Sequence, residues 1–193
     1  SPHHAEWTRS TRAQNAVLVN GEGQIIRDHR ARGRIVDFEH AGMLSYVCGD
    51  ASDAYMGRLD AWRRHLFFVR PGLLVVVDDV AAPQASTFQW LLHALEPMAV
   101  DEAAQRVEIA RGDARMDVQL VSTLGRALRI SQTDRFEPPV DAGQPSEYDD
   151  RKPAQYHVTA ETPPQVDRIR IVAVARIARA GARPNVGGEL VAD

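Results

Sequence analysis

The stretch Trp62-Arg-Arg-His-Leu-Phe-Phe-Val-Arg-Pro-Gly-Leu-Leu-Val-Val-Val-Asp-Asp-Val80 decides the fold class. Two apolar runs, Leu66-Phe-Phe-Val69 and Leu73-Leu-Val-Val-Val77, flank the pair Pro71-Gly72. Both runs are short and rich in β-branched or aromatic residues, and Pro-Gly is turn chemistry. The stretch therefore predicts two strands joined by a tight turn. Neither run alternates apolar with polar residues, which predicts central strands buried on both faces.

Outward from this stretch the period stays at two. Arg106-Val-Glu-Ile109, Arg115-Met-Asp-Val-Gln-Leu120 and Arg168-Ile-Arg-Ile-Val-Ala-Val174 each put apolar side chains on one face and polar ones on the other, the pattern of strands covering a core on one side. Phe88-Gln-Trp-Leu-Leu-His93 reads as a further strand, and Asn20-Gly21, Gly112-Asp113 and Gly125 supply turns between strands. Many short strands with few helices predict an all-β fold, an antiparallel β-sandwich of two sheets around one apolar layer, with no helix longer than about two turns. Ala99-Val-Asp-Glu-Ala-Ala-Gln105 reads as one helical turn, too short to change the class. Residues 134–153, with Pro138, Pro139, Pro145 and Pro153 among many acids, are expected to form a long surface loop.

At 193 residues and 44% hydrophobic content, residues 1–193 suit a single sandwich domain. A net charge of −3 and a pI near 6.2, with arginines interleaved among acids, leave no electrostatic footprint for nucleic acid. No apolar run approaches the roughly 20 residues a membrane-spanning helix needs. Neither nucleic acid nor a membrane is thus expected as a partner. Cys48 is the sole cysteine, so no internal disulfide forms and cysteine usage is silent about compartment.

The first twenty-four residues carry a further signal: Thr11-Arg-Ala-Gln-Asn15, the apolar run Ala16-Val-Leu-Val19 and the turn Asn20-Gly-Glu-Gly-Gln24. This run resembles the start of the β-sandwich region of the heparinase II/III-like polysaccharide lyases, in which Thr-x-Ala-His-Asn precedes an apolar strand and a Gly-containing turn. The Trp62–Val80 and Phe88–His93 stretches are also similar to that family. One departure is Gln14, which stands where the family usually has His.

The resemblance implies a supersandwich-like, two-sheet domain that is a fragment of a longer toroid-plus-sandwich protein. It implies a parent enzyme that cleaves an acidic, uronate-containing polysaccharide by β-elimination, in the periplasm or outside the cell. The family's acid and base lie mainly on an α/α toroid and in a His-x-His-x-Asp segment. Neither is found in this sequence, so no catalytic residue is assigned here and the isolated chain is expected to be inactive. The toroid of the same parent chain and the acidic polysaccharide are the implied partners.

The resemblance also points to site residues. His3 lies eight residues before Thr11, the place of a zinc-ligating His in several family members. His3, or otherwise His4, is therefore expected to give one zinc ligand in the parent, with the remaining ligands outside this chain. Both as terminal, solvated histidines is the plainer reading. Arg9 and Arg12 are candidates for a substrate carboxylate or sulfate through the planar guanidinium fork, and Asn15 for substrate binding. A solvated strand surface is the plainer reading of the arginines, and a buried Asn tying a turn to the backbone explains Asn15 equally well. In an extended run His3 and His4 face opposite ways, as do Thr11 and Arg12. His65 and His93 read as hydrogen-bonded packing residues, and Asp78 and Asp79 as turn or strand-end acids. A different class of function stays open: a non-catalytic carbohydrate-binding or scaffold sandwich, with Trp7, Trp62 or Trp90 stacking on sugar rings.

Overall fold

The computed structural model describes residues 3–137, 139 and 155–179. Twelve strands form among them: β1 (Val17–Val19), β2 (Arg34–Ala41), β3 (Leu44–Asp50), β4 (Ala61–Val69), β5 (Leu73–Ser86), β6 (Phe88–Ala94), β7 (Ala99–Asp101), β8 (Arg106–Arg111), β9 (Ala114–Ser122), β10 (Arg129–Thr133), β11 (Tyr156–Glu161) and β12 (Val166–Arg179). They make a four-stranded sheet in the order β1-β6-β11-β10 and an eight-stranded sheet in the order β2-β3-β4-β5-β12-β9-β8-β7. Neighbouring strands are antiparallel throughout. This is the all-β sandwich the alternation predicts.

The apolar layer lies between the sheets. Val17, Phe88, Trp90 and Val158 from the smaller sheet meet Val80, Val107, Leu120, Ile169 and Ile171 from the larger one. β12 shows how the sequence builds this layer: Ile169, Ile171, Ala173 and Ala175 are buried while Arg168, Arg170 and Arg176 are exposed. The turns form where expected. Asn20 and Gly21 take positive φ of 51° and 77°, the paired left-handed conformation of a tight hairpin turn. At Gly72 a side chain would overlap the carbonyl oxygen of Ile177, whose own N–H donates to the Gly72 carbonyl at 2.7 Å.

Three sequence expectations change. Residues 66–69 and 73–77 do lie on central strands, but most are half-buried and none is fully buried. Four strands cannot cover eight, so among the described residues part of the larger sheet has no second sheet over it. Ala99–Gln105 forms no helical turn: Ala99–Asp101 pairs with β8 and the rest makes the connecting turn. The N-terminal run is helical rather than extended, with short turns at His3–Thr8 and Thr11–Ala13. The loop expected over 134–153 falls mostly outside the described residues. No helix among the described residues is long and apolar enough to cross a membrane.

One polar group is built into the core. Asp78, on β5, is 0% exposed. Its Oδ1 accepts the Trp62 indole N–H at 2.8 Å and its Oδ2 accepts that of Trp90 at 3.0 Å. Arg64 closes the cluster with a two-pronged pair, Nε and Nη2 each 2.8 Å from a carboxylate oxygen. Trp62 and Arg64 belong to the larger sheet and Trp90 to the smaller, so one carboxylate ties the sheets together. Removing it strands a poorly solvated guanidinium and two buried N–H groups. Asp78→Ala is therefore expected to cost at least about 3 kcal/mol in denaturant unfolding, whereas Asp79→Ala, which breaks a more exposed pair with Arg170, should cost no more than about 1 kcal/mol. Equal costs would refute the assignment.

Candidate functional site

The N-terminal turns cross the outer face of the four-stranded sheet and make a cleft there. Two anchors hold the segment down. The Thr11 hydroxyl accepts the backbone N–H of Gln24 at 2.8 Å, an approach open only because residue 23 is Gly: a side chain there would clash with Thr11. Asn15 is the second anchor, its Oδ1 accepting the backbone N–H of His93 on β6 at 2.9 Å. Its carbonyl accepts a hydrogen bond from Arg64, the same guanidinium that pairs with Asp78.

His93 sits under this segment between two oxygens, with Nδ1 2.9 Å from Asn15 Oδ1 and Nε2 2.8 Å from the Arg12 carbonyl. A neutral ring donates to only one of them, so the two acceptors favour the doubly protonated ring. Burial opposes this and pushes the His93 pKa down, with the Arg12 carbonyl pulling the other way.

His157 lies directly across from His93 in the β6–β11 register. Its ring is packed edgewise against Trp7 at 4.8 Å, His93 at 5.0 Å and Phe136 at 5.4 Å between centroids. It is 5% exposed, and among the described residues neither ring nitrogen has a hydrogen-bond partner. Burial first, then the neighbouring His93, brings its pKa down from 6.5 to about 4, against a smaller upward pull from Asp134. The ring is thus neutral near pH 7. It forms part of the wall of an open cleft of about 730 Å³ whose lining also includes Trp7, Arg12, Leu91, Arg135 and Thr159.

The sequence candidates disperse around this cleft. Arg12 lines it, with Nη2 donating to the Gly21 carbonyl at 3.0 Å. Asn15 anchors the segment beside it, the backbone-tying role. Arg9 is exposed and lines none of the described cavities. His3 is buried, its ring 5.2 Å from Phe136, while His4 is exposed. The two histidines still face different surroundings, but on a helical turn rather than an extended run. Among the described residues no three His, Cys, Asp or Glu side chains come together around a common point for a metal. The three tryptophans are all buried, which leaves none as an open stacking platform. Sequence reading missed His157. The available signal was the alternation Tyr156-His-Val-Thr-Ala160, which puts His157 and Thr159 on the face opposite Val158 and Ala160.

The sequence matches the family described as Heparinase II/III-like, C-terminal, over residues 1–178, and the chain belongs to that family. Its fold is similar to that of solved lyases. A crystal structure of heparinase III superimposes with a TM-score of 0.70 at 17% identity, covering 94% of this chain and 26% of that one. The heparan sulfate lyase HepC from Pedobacter heparinus gives 0.69 at 14% identity, covering 95% and 28%. A second heparinase III gives 0.69 at 15% identity, covering 90% and 25%. The chain therefore spans about a quarter of the length of these structures. No curated protein sequence matches it.

The lowered pKa of His157 has a signed consequence for stability. Above pH 6.5 the ring is neutral in both folded and unfolded chains, and it adds no pH dependence. Between about 6.5 and about 4 the unfolded chain takes up a proton that the folded one refuses, so stability falls as pH drops through this window. His157→Phe keeps the aromatic packing and removes the titration. Its unfolding free energy, measured by denaturant melts from pH 7.5 to 4, is expected to fall less steeply than that of the wild type. Parallel curves would contradict a buried neutral imidazole.

Proposed function

We propose that this chain is the sandwich portion of a polysaccharide lyase that cleaves acidic, uronate-containing chains by β-elimination. The family match over residues 1–178 is the observation that supports this reading. β-Elimination removes the proton alpha to a uronate carboxylate and expels the oxygen beta to it. The reaction needs a cation or hydrogen bonds on the carboxylate, a base for the carbon acid and an acid for the leaving oxygen. In this chain the cleft beneath the N-terminal turns offers Arg12 and Arg135 as cations for an acidic polymer. On this reading the chemistry is completed by an α/α toroid elsewhere in the parent chain, and the sandwich supplies one wall of the substrate path.

The exposed apolar side chains of the β2–β3 hairpin support the presence of a further partner region. Ile35, Phe38 and Met43 are largely exposed there, and several large apolar side chains exposed on one hairpin fit a surface that a partner region covers. A periplasmic or extracellular location belongs to the same proposal, since that is where such polymers are met.

Zinc is proposed for the parent only. His3, or His4 in its place, gives one ligand, and the tetrahedral cage is completed by residues outside this chain. One imidazole does not make a zinc site. Metal content of the purified parent is expected to fall in His3→Ala, and undiminished zinc would remove His3 from the site.

The lyase reading is tested by following the ultraviolet absorbance of unsaturated uronate product on heparan sulfate and alginate. The parent protein should turn over at least one acidic polymer and the isolated chain none. Turnover by the isolated chain would overturn the division of labour. A parent that binds the polymers without cleaving them would favour a carbohydrate-binding or scaffold role.

A further inference from the structure

We infer that the cleft on the outer face of the four-stranded sheet is a subsite for one uronate residue of the polymer, with His157 holding a ring hydroxyl and Arg12 the carboxylate. The inference rests on the proposed function for its substrate class, but its residues come from the structure.

The starting observation is the imidazole of His157. It is 5% exposed, and its two nitrogens have no hydrogen-bond partner among the described residues. Buried polar atoms are nearly always paired, and an orphan pair calls for a group supplied from outside. The surroundings say what kind of group. The ring borders a cleft of about 730 Å³, far more than one water occupies. Trp7, Phe136 and His93 hem it in and shield both nitrogens, so a hydroxyl entering from the cleft meets them only as one of these rings turns aside.

A neutral imidazole offers one N–H donor and one bare nitrogen acceptor. A carboxylate uses only the donor, and an ammonium only the acceptor. A hydroxyl uses either, because it both donates and accepts, and a sugar presents several at once. Burial keeps the ring neutral down to about pH 4, so this capacity persists at neutral pH.

Arg12 lies on the same cleft. One of its nitrogens is fixed by the Gly21 carbonyl at 3.0 Å, which orients the guanidinium. The other stands 3.7 Å from Glu137 in a pair whose side chains are 45% and 76% exposed. An ion pair that long and that wet is worth little, and a ligand carboxylate can displace Glu137 at small cost while gaining a planar fork. Thr159, on β11, adds a side-chain hydroxyl to the lining. His93, the other imidazole nearby, is committed to the oxygens of Asn15 and Arg12 and holds the floor rather than the ligand.

The test titrates the 193-residue chain with a glucuronate-containing tetrasaccharide and, separately, with its carboxyl-reduced neutral counterpart. Ring-nitrogen NMR signals of His157 are expected to move on addition of the acidic sugar, with those of His40 on distant β2 unchanged. His157→Phe should weaken binding about tenfold, and Arg12→Gln should abolish the preference for the acidic over the neutral sugar. His157→Gln restores one donor and one acceptor and should recover part of the loss. Static His157 signals at saturating sugar, or affinity of His157→Phe within about twofold of wild type, would overturn the inference. That result would show that the nitrogens are met by water or by the faces of the surrounding rings. Failure of the two readings is distinguishable. A parent that makes unsaturated uronate while His157 stays unmoved sinks only the subsite, whereas sugar binding at His157 with no product from the parent sinks only the lyase reading.

Discussion

The structure depends on a carboxylate placed where carboxylates are rarely found. Asp78 sits in the apolar layer with no exposure, and burying a charge there costs several kcal/mol unless its acceptor sites are filled. They are filled, by the Arg64 guanidinium and by the indole N–H groups of Trp62 and Trp90. Because Trp90 comes from the opposite sheet, this polar cluster fixes how one sheet lies on the other. An apolar contact tolerates small slides, whereas these four hydrogen bonds do not.

The same cluster reaches the candidate site. Arg64 turns its Nη1 to the carbonyl of Asn15. The Asn15 side chain holds the backbone of His93, and the His93 ring holds the carbonyl of Arg12. A chain of hydrogen bonds thus runs from the core to the segment that roofs His157. Trp7 arrives over His157 on that segment, and Gly23 lets Thr11 pin its far side. The cleft is therefore set by rigid elements on the sheet side and by tethered short turns on the other, an arrangement that holds side chains in place before a ligand arrives.

The sheets were legible in the sequence, and the site largely was not. Period two shows in β8, β9 and β12 because each covers the core on one face, so burial writes itself into the alternation. The apolar runs of β4 and β5 identify central strands, yet they overstate burial, since nothing in a run tells how wide the opposing sheet is. Asp78 reads as a strand-end acid because its depth depends on Trp90, 12 positions on, which reaches it only when the second sheet closes over the β4–β5 hairpin that sets Arg64 opposite it. Of the N-terminal candidates, Arg12 lines the cleft, while Asn15 ties the segment beside it to β6. The segment's local structure escaped because tertiary anchoring at Thr11 and Asn15, rather than propensity, bends it into turns. His157 was hidden for a related reason: alternation puts it on the outer face, and only the roof over that face makes it a buried, unpaired group.

The most direct measurement is a double-mutant cycle on the two indoles, Trp62→Phe and Trp90→Phe, read by denaturant unfolding with and without Asp78→Asn. The residues lie on different sheets and both donate to the one carboxylate. If Asp78 joins the sheets, the two changes are non-additive by about 1 kcal/mol, and the coupling disappears in the Asp78→Asn background. Additivity within about 0.3 kcal/mol in the parent background would contradict the account.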